Sequence, residues 1–179
     1  VHDRQTFVEL AGELARMGAD SLCLKDMAGL LAPYDAYALV SEIKSSVELP
    51  LHLHCHYTSG MASATYLKAI EAGLDGVDTA ISSMALGTSQ PSTESLVRQL
   101  QGTPRDPGLS LRSLSDLARL FGEVRCRYAA HESGVPGVDV NVLTFQIPGG
   151  MISNLVAQLK EQGALDRYPE VLEEVPRVR

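Results

Sequence analysis

Leu51-His52-Leu53-His54-Cys55-His56 alternates leucine or cysteine with three histidines at a spacing of two. In a β-strand, residues two apart share a face, so all three imidazoles line one side. Leu51, Leu53 and Cys55 line the other. A row of imidazoles is costly as plain core, because each ring nitrogen needs a partner. It suits a divalent metal, for which imidazole is the commonest protein ligand. Thr58-Ser59-Gly60 reads as a turn, which places His54 and His56 near the strand's C-terminal end.

Outward from this strand, the first half of the chain alternates helix and strand. Arg4 to Met17 is expected to form an amphipathic helix, with Phe7, Leu10, Leu14 and Met17 at helical spacing and Gly18 closing it. Ser21 to Lys25 reads as a short buried strand, and Asp26-Met27-Ala28-Gly29 as the turn after it. Pro33 opens a second helix carrying Leu39, Val40, Ile43 and Val47. Pro50 starts the histidine strand. A third helix is expected from Met61 to Ala72, ended by Gly73, and a third strand from Gly76 to Ile81. Strands recurring once per βα unit imply a parallel sheet with crossover helices.

The second half reads as helical. Thr88 to Ser92 is a loop and N-cap, with Glu94 in the first turn of a helix to Leu100. Gly102 to Gly108 is a loop, Leu111 to Ala130 a long helix, and Ser133 to Gly137 another loop. Ile147-Pro148-Gly149-Gly150 leads into a helix from Met151 to Gln162, and a last helix covers Tyr168 to Glu174. There is no G-x-G-x-x-G and no Walker lysine motif, which disfavours a dinucleotide or nucleoside triphosphate site. Three parallel strands do not close a barrel. With candidate active groups at strand ends, the fold class expected is α/β, as part of a TIM (β/α)8 barrel.

The chain has 179 residues, enough for one domain with a real core. Its formal net charge is −7 and it has no basic run, which argues against nucleic acid as a partner. Cys23, Cys55 and Cys126 stand at unrelated spacings that form no disulfide or zinc framework, and fit a reducing cytoplasm. No apolar stretch is long enough to span a bilayer, and no signal peptide opens the chain. The start at Val1, running straight into a helical pattern, is expected of a piece of a longer protein.

Three sets of residues could do chemistry. His54 and His56 at i and i+2 on a strand can reach one ion; the plain alternative is a pair of hydrogen-bonded or solvent-facing histidines. His52 sits a layer deeper, as core or as a partner for a ligating ring. Lys25 ends an apolar strand. It is either ion-paired with Asp26 or Asp78, or functional by one of three routes: binding a carboxylate, forming a Schiff base, or taking up carbon dioxide to become a carbamate metal ligand. Ser153 follows Pro148-Gly149-Gly150, and from spacing alone is most simply a helix N-terminal serine. Gln90 and Ser92 read as loop and cap residues. Cys55 should face away from the histidines as a small buried thiol, and Cys23 should share the face of Lys25.

Five segments fall in an order that resembles a known family. They are Leu24-Lys25-Asp26-Met27-Ala28-Gly29-Leu30-Leu31, the histidine strand with Thr58-Ser59-Gly60, Val77-Asp78-Thr79-Ala80, Thr88-Ser89-Gln90-Pro91, and Ile147-Pro148-Gly149-Gly150 with Ser153-Asn154-Leu155. The chain resembles the carboxyltransferase domain of biotin-dependent enzymes: pyruvate carboxylase in its single-chain or split form, the oxaloacetate decarboxylase alpha subunit, and transcarboxylase. The resemblance implies that residues 1–87 are the last βα units of the barrel, strands six to eight. Residues 88–179 would be a helical funnel extension of the same catalytic domain.

It implies a divalent metal (zinc, manganese or cobalt) held by His54, His56 and a carbamylated Lys25. Ser153 stands where the family usually has threonine, and would pass a proton between substrate and biotin. The implied activity is carboxyl transfer between carboxybiotin and pyruvate or oxaloacetate. Partners would be a separate biotin carboxyl carrier domain and a second carboxyltransferase domain in a homodimer, with no nucleic acid and no membrane insertion. Thr88 to Pro91 resembles pyruvate carboxylases more than the decarboxylase subunit. The family's metal-ligating aspartate of strand one and its biotin-bearing A-M-K-M motif are not in this sequence, so the chain alone is expected to be inactive with an open core. Two alternatives remain at this level. One is an isopropylmalate-synthase-like or HMG-CoA-lyase-like enzyme, against which the lysine motif and the P-G-G helix speak. The other is a non-catalytic fragment that needs another chain.

Overall fold

The structure, a computed structural model, describes residues 3–132, 137–147 and 149–178. Helix α1 (Arg4–Arg16) leads to strand β1 (Leu22–Asp26), helix α2 (Pro33–Ser46), strand β2 (Leu51–Cys55), helix α3 (Ala62–Glu71) and strand β3 (Gly76–Val77). The strands form one parallel sheet in the order β1-β2-β3. Sequential order with helices packed on one face is a barrel's arrangement, since a doubly wound sheet covers both faces and reverses its order.

Alternation in β2 decides which face is covered. Leu51, Leu53 and Cys55 point towards α2 and α3, where they meet Ala36, Val40, Ile43, Ala62, Tyr66 and Ala69 in one buried cluster. Fully burying a leucine here stabilises the fold by about 1.5–3 kcal/mol. Pro33 begins α2 at a position whose N–H would have no helical partner in any case. Asp3 caps α1 by accepting from Thr6 N.

Four expectations need correction. Phe7, Leu10 and Leu14 of α1 are exposed, and Met17 is 82% exposed; Ala11 is that helix's buried residue. The stripe is amphipathic in pattern but overhangs the uncovered edge of β1. Strand β1 is not buried throughout, because Cys23 and Lys25 lie on its open face. Strand β3 stops at Val77 rather than Ile81: the chain leaves β2 there, and Ala80 instead makes a parallel bridge to Ser92. His52 is exposed rather than core. Its ring lies over Gly76, where a Cβ would come within 2.6 Å of Nδ1.

The second half is helical as expected. Helix α4 (Thr93–Leu100) starts at Ser92, whose hydroxyl accepts from Ser95 N, and its Leu96 joins the main core. Helix α5 (Leu111–Arg127) has no buried residue and is tied down by Arg125, which donates to the Ser83 carbonyl at 2.8 Å. A single turn, α6 (Val142–Phe145), is an element that the sequence pattern does not mark. Helices α7 (Gly149–Glu161) and α8 (Tyr168–Val178) share a small core of Ile147, Val156 and Leu172. No helix among the described residues is long and apolar enough to cross a membrane.

Candidate functional site

The parallel register pairs Cys23 with His52 and Lys25 with His54, and His52 in turn with Gly76. Paired residues in a parallel ladder point the same way. The open face therefore carries Cys23, His52 and Gly76 in one layer, with Lys25 and His54 in the next towards the strands' C-terminal ends. This is where barrel enzymes place their chemistry. Asp78 extends the second layer, since its N–H donates to the Leu53 carbonyl at 3.1 Å.

His54 and His56 stand with ring centroids 5.1 Å apart. Each has one ring nitrogen tied to an oxygen acceptor. His54 Nδ1 lies 2.8 Å from Asp78 Oδ2, and His56 Nδ1 lies 2.6 Å from the Thr88 carbonyl. An acceptor on Nδ1 fixes the proton there and leaves the Nε2 lone pair for another partner, which is how ligating histidines are held. Burial above all holds the His56 imidazole below its usual pKa; the bond to the Thr88 carbonyl works the other way and is outweighed. A neutral ring is the form that can bind a cation.

The expected role of His52 as partner to these rings is not what the fold provides. Asp78 and the Thr88 carbonyl do that work, contributed by segments further along the chain. Gln90 is more than a loop residue: its Nε2 lies 3.4 Å from His54 Nε2. The loop that delivers Thr88 and Gln90 is closed by Leu86 N to the Gln90 carbonyl at 2.8 Å and is held over β2 by Tyr57 N to the Ser89 carbonyl at 2.7 Å. Leu86 takes a left-handed φ of 70°, uncommon for a branched residue and of the kind that surrounding contacts must impose. Spacing in the sequence marks neither Asp78 nor Thr88 as a histidine partner.

Lys25 is exposed on the open face, and among the described residues it is ion-paired with neither Asp26 nor Asp78. The simple ion-pair explanation of Lys25 is thereby removed. The Asp26 carboxylate instead accepts from Gly29 N, Leu30 N and Leu31 N at 2.8, 3.1 and 2.8 Å. These bonds curl the loop after β1 back over β2. Gly29 sits at φ 69° against the His56 carbonyl, where a Cβ would collide, and Ser59 Oγ donates to the Gly29 carbonyl.

Cys55 faces away from the imidazoles and is buried, and Cys23 shares the face of Lys25, both as expected. Burial pushes the Cys55 thiol well above its usual pKa, helped by the Asp26 carboxylate 3.3 Å away, so it is no nucleophile. Ser153 lies within α7, and its side chain falls outside the described residues. Among the described residues no three His, Cys, Asp or Glu side chains cluster to hold an ion. The two anchored imidazoles are therefore short of the three side chains that a metal cluster of these residue types would need.

Residues 2–121 match the family model described as HMGL-like, and residues 142–179 match the conserved carboxylase domain. A pyruvate carboxylase subunit of Methanocaldococcus jannaschii is 56% identical over 180 residues, covering 100% of this chain and 32% of the relative. The 2-oxoglutarate carboxylase large subunit of Hydrogenobacter thermophilus is 45% identical, covering 99% of this chain and 28% of the relative. Among solved structures, the carboxyl transferase domain of Rhizobium etli pyruvate carboxylase with pyruvate matches at a TM-score of 0.93 and 39% identity. That match covers 97% of this chain and 29% of the other. The chain spans about a third of the length of the curated relatives it matches. The three parallel strands are accordingly a segment of a TIM barrel.

Proposed function

The chain belongs to the HMGL-like family, as part of a carboxyltransferase domain of the pyruvate carboxylase type, and from that membership we propose that it serves biotin-dependent carboxyl transfer to or from a 2-oxo acid. Pyruvate and oxaloacetate are the substrate pair we favour. Both relatives named above are carboxylases of 2-oxo acids by name. Residues 1–87 then supply the last βα units of the barrel, and residues 88–179 a helical extension of the same catalytic domain. The bond from Tyr57 N to the Ser89 carbonyl supports that continuity.

The observation that carries the reading is the shared anchoring of His54 and His56 through Nδ1, beside Lys25 on the open face. In this reading His54, His56 and Lys25 hold a divalent ion: zinc, manganese or cobalt. Such an ion, when bound, supplies Lewis-acid polarisation of the substrate's keto oxygen. Lys25 would contribute as a carbamate: its ammonium loses a proton to solvent, the free amine adds carbon dioxide, and a second proton leaves as the N–C bond forms, so a cation becomes an oxygen donor. Asp78 and the Thr88 carbonyl keep the ring protons on Nδ1. Ser153 holds the proton exchanged between the substrate methyl and the biotin ring, which a separate carrier domain delivers. A homodimeric, cytoplasmic parent completes the proposal, and three free cysteines suit that compartment.

The test is made in the full-length enzyme. His54→Ala and His56→Ala should each lose bound metal and turnover, and mass spectrometry under native conditions should find a carbamate on Lys25. Full activity in either variant would refute the site. A tight one-to-one metal site in this chain alone would count against the alternative of a non-catalytic fragment.

A further inference from the structure

Strands β2 and β3 part company after Leu53 and Val77. Cys55, the residue between the two anchored histidines, therefore lacks a strand partner for its N–H on that side. A side chain takes the place of the missing ladder. Tyr66, on α3 and 0% exposed, accepts from Cys55 N at 3.0 Å through its hydroxyl oxygen. The same hydroxyl donates to the Asp78 carbonyl at 2.7 Å and leans on the Cys55 carbonyl at 3.3 Å. One phenol thus joins β2 at the point between His54 and His56 to the backbone of the residue whose carboxylate holds His54 Nδ1. It reaches both from the packed side of the sheet.

We propose that Tyr66 is a positioning residue for the histidine pair, acting through its hydroxyl on Cys55 and Asp78 rather than by contact with substrate or metal. The inference rests on the reading of His54 and His56 as ligands, but its mechanical part does not. Without the hydroxyl, a buried N–H and a carbonyl lose their partner. The Asp78 backbone then keeps its N–H bond to the Leu53 carbonyl but loses its second tie to β2, which loosens the aim of its carboxylate at His54. His56 is held by a different segment, through Thr88, so the disturbance should fall on His54 first. A group bonded directly to a ligating ring, as Asp78 is in this reading, typically alters metal affinity by about 10- to 100-fold when removed, and a residue acting one bond further out should alter it by less.

Tyr66→Phe keeps the ring and removes only the hydroxyl, so the core stays filled. In the full-length protein, zinc titration of the metal-free form should give a weaker Kd in this variant, by a few-fold up to about tenfold. Ile43→Val, in the same core on α2, serves as the control: it should lower thermal stability and leave zinc affinity unchanged. A second measurement needs no metal. With ring-labelled histidine, the Nδ1–H resonance of His54 should shift or broaden in Tyr66→Phe, while that of His56 keeps its position. Unchanged zinc affinity together with an unchanged His54 resonance would overturn the proposal. Equal loss of zinc affinity in Ile43→Val would reduce Tyr66 to a stability role and overturn it too. If the parent protein binds no zinc but the His54 resonance responds as described, the metal reading fails and the positioning role stands.

Discussion

Leu53 and His54 are neighbours in β2, yet they belong to different regions of the molecule. Leu53 is fully buried against α2 and α3. His54 faces the open side, with Asp78 on one ring nitrogen and Gln90 near the other. The same contrast separates Leu24 from Lys25 in β1, where the strand's alternation places the leucine towards the helices and the lysine on the open face. The two faces divide the labour by pleat. One stabilises the fold by excluding water, and the other holds polar groups whose partners come from later segments. Substitutions on the two faces should therefore fail in different ways.

The largest effect should fall on the histidine face. His54→Ala should abolish metal uptake and turnover in the full-length enzyme, while metal-free stability in urea falls by about 1 kcal/mol or less, the worth of a single hydrogen bond. Collapse of the fold in that variant would show that the two faces are not separable. Leu53→Ala is the converse: a loss of about 2–5 kcal/mol is expected from buried leucine and cavity together. The folded fraction should still bind one metal ion per site, read by titration at low temperature.

A third variant strikes the link between the faces. Gly29→Ala places a Cβ against the His56 carbonyl at a φ of 69°. It should cost about 1–3 kcal/mol in strain and also weaken metal binding, because His56 must shift. An effect on stability alone would mean that the loop yields and the histidine does not.

The smallest effect is electrostatic. Asp75 feels burial, which raises its pKa, but hydrogen bonds from Lys44 and from Leu51 N outweigh it and hold the carboxyl below the ordinary range. A carboxyl depressed on folding adds stability at pH values above its unfolded pKa, and that stability fades as the pH falls through the lowered value. Asp75→Asn should thus cost under about 1 kcal/mol at neutral pH, since the side chain is 38% exposed and screened. Once the pH has fallen below that lowered value, wild type and variant should converge. A difference that persists in acid would assign the effect to the hydrogen bonds rather than the charge.

Local pattern carries much of this architecture. Helix ends marked by Pro33, Ser92 and the glycines after α1 and α3 fall within a residue or two of the observed bounds. The extent of β3 does not follow from its residues. Thr79 and Ile81 are β-branched and suit a strand, but pairing depends on where β2 turns away. The exposure of α1 has a related cause, since an apolar stripe is covered only where something packs on it. The place of His52 also escapes the pattern, because spacing by two cannot say which of three aligned rings meets a neighbouring strand's glycine.

What the chain determined unaided is the face each residue of β1 and β2 takes, because side-chain alternation is a property of an extended backbone and needs no neighbour. The order of helices and strands followed likewise from short-range periodicity and caps. Long-range folding alone settled what holds the imidazoles. Asp78 lies 24 residues from His54, and Thr88 lies 32 residues from His56. A hydrogen bond between segments that far apart leaves no period in the sequence, and forms only after the helices have packed and brought the strand ends together.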